Sequence, residues 1–269
     1  MSALLLVVTT LLGWTGAHAQ SAWVLASFAT RCDTCWPGWT ELRRPIGGLG
    51  PSVSNREAAI FVSGWHADPA LNQEHLLFNG PQTSAITPAE AAASFRFGNA
   101  TVGGRRQLTD GSFLCLQKND VMAYVTEEVF IITLRDIGPT WLGAFIGDVT
   151  LLDPSVVPAT ESRQLYTTIG LLEQTASGPQ VLAVKVIPPV TRFSQIQVQV
   201  RMTEHADTPP TLDAMFSFAD GRTARVQSEL GPASVLSTGT AGVIYLVGNG
   251  WPCTTLTQRE VAVRSFALR

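Results

Sequence analysis

The sequence predicts an all-β chain: an antiparallel β-sandwich of jelly-roll type, as one large or two smaller sandwiches, with one or two short helices in the N-terminal half. Three observations carry this expectation. Apolar and polar residues alternate at period two in many short segments, as in strands with one buried face. Turn dipeptides such as Asp110-Gly111, Asp220-Gly221 and Asn249-Gly250 separate them. Charged residues are only 14% of the chain, well below the usual figure of about 25%. The polar surface therefore rests on Ser, Thr, Gln and Asn, and Thr also suits a pleated surface.

The chain opens on a short apolar stretch, Leu4 to Val8 and Leu11-Leu12, followed by Ala17-His18-Ala19 as a small-x-small site. This is the pattern of a secretory signal peptide over residues 1–19. The expected mature chain starts at Gln20 and is secreted. No Lys or Arg precedes the apolar stretch, so the positive end is the α-amino group alone.

Strands are expected at Trp23–Phe28, Ala59–Val62, Phe113–Gln117, Val121–Val125, Val129–Arg135, Phe145–Leu152, Leu165–Leu172, Val181–Ile187, Gln195–Met202, Ala214–Phe218, Ala224–Gln227, Val243–Val247 and Val261–Leu268. The clearest is Gln195–Met202. It sets Ile196, Val198, Val200 and Met202 on one face and Gln195, Gln197, Gln199 and Arg201 on the other. Two helices are expected between the early strands. Asp68-Pro69 supplies a cap and a first-turn proline, with Gly80 as the stop. Thr87-Pro88-Ala89-Glu90 reads as a capping box before an alanine run.

Residues 153–163 are rich in Pro, Ser and Thr and mark the best boundary. They divide an N-terminal β-rich domain, 20–153, from a C-terminal β-sandwich domain, 164–269. The alternative is a single large sandwich over 20–269, a length that buries a sizeable core either way.

The mature chain holds four cysteines, Cys32, Cys35, Cys115 and Cys253. An even number in an exported protein implies disulfides, with three connectivities open. Cys32–Cys35 with Cys115–Cys253 is the preferred one. Cys32-Asp33-Thr34-Cys35 has redox spacing, but a loop-like Trp36-Pro37-Gly38-Trp39 follows where a helix N-terminus would be needed to lower a thiol pKa. Asn99-Ala100-Thr101 is a glycosylation sequon.

Trp36, Trp39, Trp65 and Trp251 each stand beside Gly, Pro or His, which places them on turns. Indole faces on loops stack on sugar rings or anchor protein interfaces. These four are the expected binding residues. His66-x-Asp68 with Glu74-His75 brings ligand-type groups close in sequence, but the spacing matches no strong metal motif, and no metal or cofactor is expected. Glu127, Glu128, Asp136, Asp148, Glu204 and Asp213 are carboxylates for glycoside chemistry, with no pair assigned; adjacent Glu127 and Glu128 point to opposite strand faces.

The formal net charge is −3 and no basic stripe is present, which excludes nucleic acid as partner. No later apolar run approaches the length of a membrane span. The overall pattern resembles extracellular jelly rolls at the level of fold, and that likeness assigns no activity. The expected function is a secreted binding protein whose partner is a glycan or an extracellular protein surface. A polysaccharide hydrolase or lyase using the carboxylates, His66 or His205 is the alternative. A structural component of an extracellular coat or particle is the third.

Overall fold

The computed structural model describes residues 24–25, 39–41, 52–56, 59–65, 73–78, 88–102, 128–147, 167–191, 193–232, 234, 239–247 and 257–269. Among them every regular element is a strand. In chain order these are β1 (Val24–Leu25), β2 (Trp39–Glu41), β3 (Ser52–Arg56), β4 (Ala59–Trp65), β5 (Gln73–Phe78), β6 (Glu90–Val102), β7 (Glu128–Asp136) and β8 (Trp141–Gly147). They continue as β9 (Thr167–Thr175), β10 (Gly178–Ile187), β11 (Ile196–Thr203), β12 (Thr211–Phe218), β13 (Thr223–Glu229), β14 (Thr240–Val247) and β15 (Thr257–Leu268).

The strands form two antiparallel sheets. The eight-stranded sheet runs β13-β12-β11-β6-β15-β4-β3, with β1 also pairing β15. The seven-stranded sheet runs β10-β9-β8-β7-β14-β5-β2. Strands from early and late in the chain lie side by side: β6 pairs with both β11 and β15, and β14 with both β5 and β7.

Period-two patterning accounts for the core between the sheets. In β11 Ile196, Val198, Val200 and Met202 are buried and the intervening residues are not, as the sequence predicts. β12 buries Leu212, Ala214, Phe216 and Phe218 in the same way. From the other sheet come Phe130, Ile132, Leu134, Ala144, Ile146, Ile169, Leu171 and Tyr245, all in the same apolar cluster. The Asp220-Gly221 turn closes β12 onto β13. Gly221 takes φ +85°, and the Phe218 carbonyl accepts its N–H at 2.9 Å.

The two expected helices are strands. The segment after Asp68-Pro69 becomes β5, where Leu76 and Phe78 are buried and paired with β14 and β2. The alanine run after Thr87-Pro88 becomes β6. Ala91, Ala93, Phe95 and Phe97 are buried while Ala92, Ser94 and Arg96 are half-buried. Alanine favours helix when alone, but strands on both flanks and a period-two face override that weak preference. Glu90 does not cap a helix. Its buried carboxylate accepts hydrogen bonds from the side chains of Gln199 and Arg269. The expected strands at Phe113–Gln117 and Val121–Val125, and residues 153–163, lie outside the described residues.

Candidate functional site

The two sheets turn very different faces outward. On the seven-stranded sheet the outer face is apolar and covered. Val129, Ile131, Trp141, Phe145, Leu172 and Ile244 form a second buried cluster there, separate from the inter-sheet core. The cross-strand row Val184–Gly170–Phe145–Ile131–Ile244 belongs to this face. At its β10 margin, Val184 and Val186 are exposed.

The outer face of the eight-stranded sheet is open and polar. Register places Thr223, Ser217, Gln197, Ser94 and Ser265 directly opposite one another across β13, β12, β11, β6 and β15. Directly paired residues share a face, and all five are exposed or half-buried. These five present hydroxyls and an amide, and Arg264, exposed in the register shift beside Ser265, stands at the β15 end of the row. Gln195 extends it at one side, where its Nε2 donates to Ser94 Oγ and, at 3.2 Å, to the Phe95 carbonyl.

The next row on this face is Arg225, Met215, Gln199, Ala92 and Ala267. Beyond it Gln227, Asp213, Arg201 and Glu90 line up. Two pairs of charges are matched within the face. Arg225 donates to both oxygens of Asp213, at 2.7 and 2.9 Å, and these bonds raise the guanidinium pKa above its ordinary value. Arg269 pairs with Glu90.

A loop from Pro188 to Gln195 joins the two sheets beside this face and holds one aromatic side chain in solvent. Phe193 is 54% exposed and takes φ +66°, a left-handed conformation that disfavours side chains with a Cβ. The loop is fixed on several sides. Phe193 N donates to the Phe97 carbonyl at 2.8 Å, and Ser194 N to that of Thr191 at 3.2 Å. Arg222 donates to the carbonyls of Pro188 and Pro189 and lies 5.4 Å from the centre of the Phe218 ring. The Arg222 backbone N–H and guanidinium also bond Asp220, which lowers that carboxyl below its ordinary pKa.

One end of the sandwich gathers buried polar groups. Arg135 is nearly buried and donates to Glu204 Oε1 at 3.1 Å, while Glu204 is largely exposed. Burial lowers the Arg135 pKa and Glu204 partly opposes this. Asp136 accepts from Thr133 Oγ1 at 2.6 Å and from Gly138 N at 2.8 Å. Ser234 Oγ donates to Glu173 Oε2 at 2.9 Å, both side chains buried. These contacts satisfy polar atoms at the ends of strands; Asp136 closes the β7–β8 turn.

The expected site residues fall in several places. Trp39 is a correction. It sits in β2 and in the core, 7% exposed, because its ring fills the space between Phe78 and Phe266. Trp65 ends β4, paired with Gln258, instead of lying on a turn. Asn99 is within β6, next to the register shift opposite Arg259 and Val261. Glu74 and His75 are in β5, opposite Tyr245 and Ile244. Trp36, Trp251, His66, Asp68, Glu127, Asp148 and the four cysteines lie outside the described residues. Of the candidate carboxylates, Glu204 binds Arg135, Asp136 accepts from Thr133 and Gly138 N, and Asp213 binds Arg225. Sequence reasoning identified Gln195, Gln197 and Gln199 as a wet face without assigning it a role, and it missed Phe193. A single aromatic after a Pro-Pro-Val-Thr-Arg loop was the only available signal.

This architecture is a two-sheet antiparallel β-sandwich. No protein-family model and no curated protein matches the chain in sequence. Solved structures match it in fold. The lectin I from Ulex europaeus, in complex with the methyl glycoside of α-L-fucose, superposes with a TM-score of 0.51 at 9% identity, covering 92% of this chain and 98% of that one. Peanut lectin with a nonapeptide gives 0.49 at 10% identity, covering 92% and 97%. The alginate lyase from Klebsiella pneumoniae gives 0.41 at 7% identity, covering 81% and 83%. At such identities the Ulex likeness is one of fold.

Proposed function

We propose that this protein is a carbohydrate-binding β-sandwich. The observation that carries the reading is the open row of Thr223, Ser217, Gln197, Ser94 and Ser265, together with the exposed ring of Phe193 in the segment that leads into β11. Hydroxyls and amides donate and accept at once, which suits sugar hydroxyls. An aromatic ring in solvent offers a stacking surface. The Ulex lectin, bound to a fucoside, shares the fold and supports the reading. Binding of the full chain to an immobilised glycan panel tests it, and a folded protein that binds no glycan overturns it.

The polysaccharide-active alternative is less well supported. It needs two carboxylates facing one cleft, whereas Asp136 is held by Thr133 and Gly138 N, and Asp213 by Arg225. Export with loss of residues 1–19, two disulfides among Cys32, Cys35, Cys115 and Cys253, and use of the Asn99 sequon remain part of the proposal. The sequence patterns above support them. N-terminal sequencing and thiol titration of secreted material test them. The interleaving of early and late strands supports a single sandwich over 20–269.

A further inference from the structure

The open face of the eight-stranded sheet is uneven in charge along its strands. At one end Arg201 stands directly opposite both Asp213 and Glu90. Arg225 bonds Asp213, Arg269 bonds Glu90, and Glu229 lies beyond, opposite Thr211. Arginines and carboxylates therefore match in number there. Further along the strands, Arg96 and Arg264 flank the paired residues Ser94 and Ser265. Arg264 is the extra residue in the register shift before Ser265, and Arg96 stands two residues after Ser94, opposite Ala262. Residues two apart on a strand share a face, and neighbouring strands lie only about 4.8 Å apart. Arg264 is exposed and Arg96 half-buried. Neither forms an ion pair with a carboxylate among the described residues. The Arg96 Nε is buried without an acceptor there. Glu260, the nearest acidic residue along β15, pairs with Ser63; one carboxylate against two guanidiniums leaves this end positive. The whole chain carries a formal net charge of −3, so the excess of cations is local.

We infer that Arg96 and Arg264, with the hydroxyls of Ser94 and Ser265, bind the anionic group of an acidic polysaccharide, a carboxylate or a sulfate. This rests on the carbohydrate-binding reading and gives its ligand a charge. A guanidinium presents a fork of N–H donors that matches such oxygens, and its charge strengthens each bond. A buried N–H without an acceptor is uncommon in a folded chain, and an anionic oxygen beside Arg96 would supply one. An acidic peptide would meet the same two charges. The hydroxyls of Ser217 and Thr223 continue from Ser94 across the sheet, which suits a ligand that itself carries hydroxyls along its length.

Calorimetric titration of the full chain tests this with a neutral hexasaccharide, a uronic-acid hexamer, a sulfated hexasaccharide and hexaglutamate. At least one of the two acidic sugars should bind roughly tenfold or more tighter than both the neutral sugar and hexaglutamate. Arg264→Gln should remove most of that advantage, and so should Arg96→Gln. Lys185→Gln, exposed on β10 of the other sheet, should leave it intact. The exposed position of Arg264 keeps the test decisive if Arg96→Gln fails to fold by circular dichroism. Acidic sugars bound no tighter than the neutral one overturn the inference and leave the carbohydrate reading standing. So does hexaglutamate bound as tightly as the acidic sugars, a folded Arg264→Gln that retains the advantage, or an equal loss in Lys185→Gln. Binding of no sugar of any charge, in the glycan panel as well, overturns both.

Discussion

The indole of Trp39 meets the ring of Phe266 nearly edge to face, with centroids 5.0 Å apart and planes at 64°. Trp39 belongs to the seven-stranded sheet and Phe266 to the eight-stranded one, so the contact joins the two layers. Phe78 completes the trio, 5.1 Å from Trp39 and 5.7 Å from Phe266. Truncating a buried aromatic leaves a cavity. Trp39→Ala should therefore lower unfolding free energy by about 3–5 kcal/mol. Denaturant titration reads this directly. A variant that melts with wild type would return Trp39 to the surface and make it a binding candidate again.

The alternation in β11 makes a paired prediction. Val198 is 2% exposed and its neighbour Gln197 is in solvent. Val198→Asp places an unpaired carboxylate in the core and should cost several kcal/mol, on the order of 3 or more. Gln197→Asp should change stability by less than about 0.5 kcal/mol. Equal losses at the two positions would refute the assignment of faces.

Strands with one wet face were legible because they carry their own period. Ile196 to Met202 alternates cleanly, and the structure places it as read. β5 and β6 were misread because the local signals, Asp68-Pro69 and Thr87-Pro88-Ala89-Glu90, do favour helix starts. What decides them is pairing with β14, β2, β11 and β15, and those partners are distant in sequence. β7 and β8 are buried on both faces; the apolar run of β7 was legible as a strand at Val129–Arg135, whereas β8, with no alternation to fix its bounds, begins four residues before the expected Phe145–Leu152. The row from Thr223 to Ser265 was invisible for a related reason. Each residue is an ordinary wet strand position, and only register brings the five together. Trp39 was misplaced because a glycine beside a tryptophan signals a turn, while burial depends on Phe78 and Phe266 far along the chain.

Close packing on the covered face of the seven-stranded sheet can be tested at Gly170. A Cβ there would lie 2.5 Å from a ring carbon of Phe145 and would also meet the Ala183 carbonyl oxygen. Backbone on one side and an aromatic ring on the other leave no room. Gly170→Ala should destabilise by about 1–3 kcal/mol, a cost typical of overpacking. The combination with Phe145→Leu should recover part of the loss from the ring contact, and strict additivity of the two changes would show that the ring is not the obstacle.

The Arg222 contacts make a pH prediction. Asp220 is held below its ordinary pKa first by the Arg222 backbone N–H and then by the Arg222 side chain. The folded state therefore binds this proton less readily than the unfolded chain. The stabilisation is present above the unfolded pKa and is lost as pH falls through the lower folded value. Because Asp220 is exposed, the effect on stability is small, and the titration itself is the better readout. The carboxyl carbon resonance of Asp220 should titrate below that of an aspartate in an unstructured peptide. Arg222→Ala should raise the midpoint toward the peptide value while the backbone N–H bond retains part of the shift. An unchanged midpoint would show that the guanidinium contact is absent in solution.

Phe193 separates binding from stability. Its ring is exposed and its backbone is left-handed, so the ring adds little to packing and the Cβ carries a conformational cost. Phe193→Ala keeps that cost and removes the ring; its melting point should stay close to wild type. Phe193→Gly relieves the cost and should be more stable than Phe193→Ala by roughly 1 kcal/mol. Both variants should lose carbohydrate affinity together, roughly tenfold or more if the ring acts as a stacking anchor. The loss should track the missing ring and not the change in melting point. Phe193 lies two residues before Gln195, whose amide reaches Ser94 in the row. If Phe193→Ala melts far below wild type, the ring is part of the packing and the stacking role fails. If both variants bind sugar as wild type does, the ligand lies elsewhere on the sandwich.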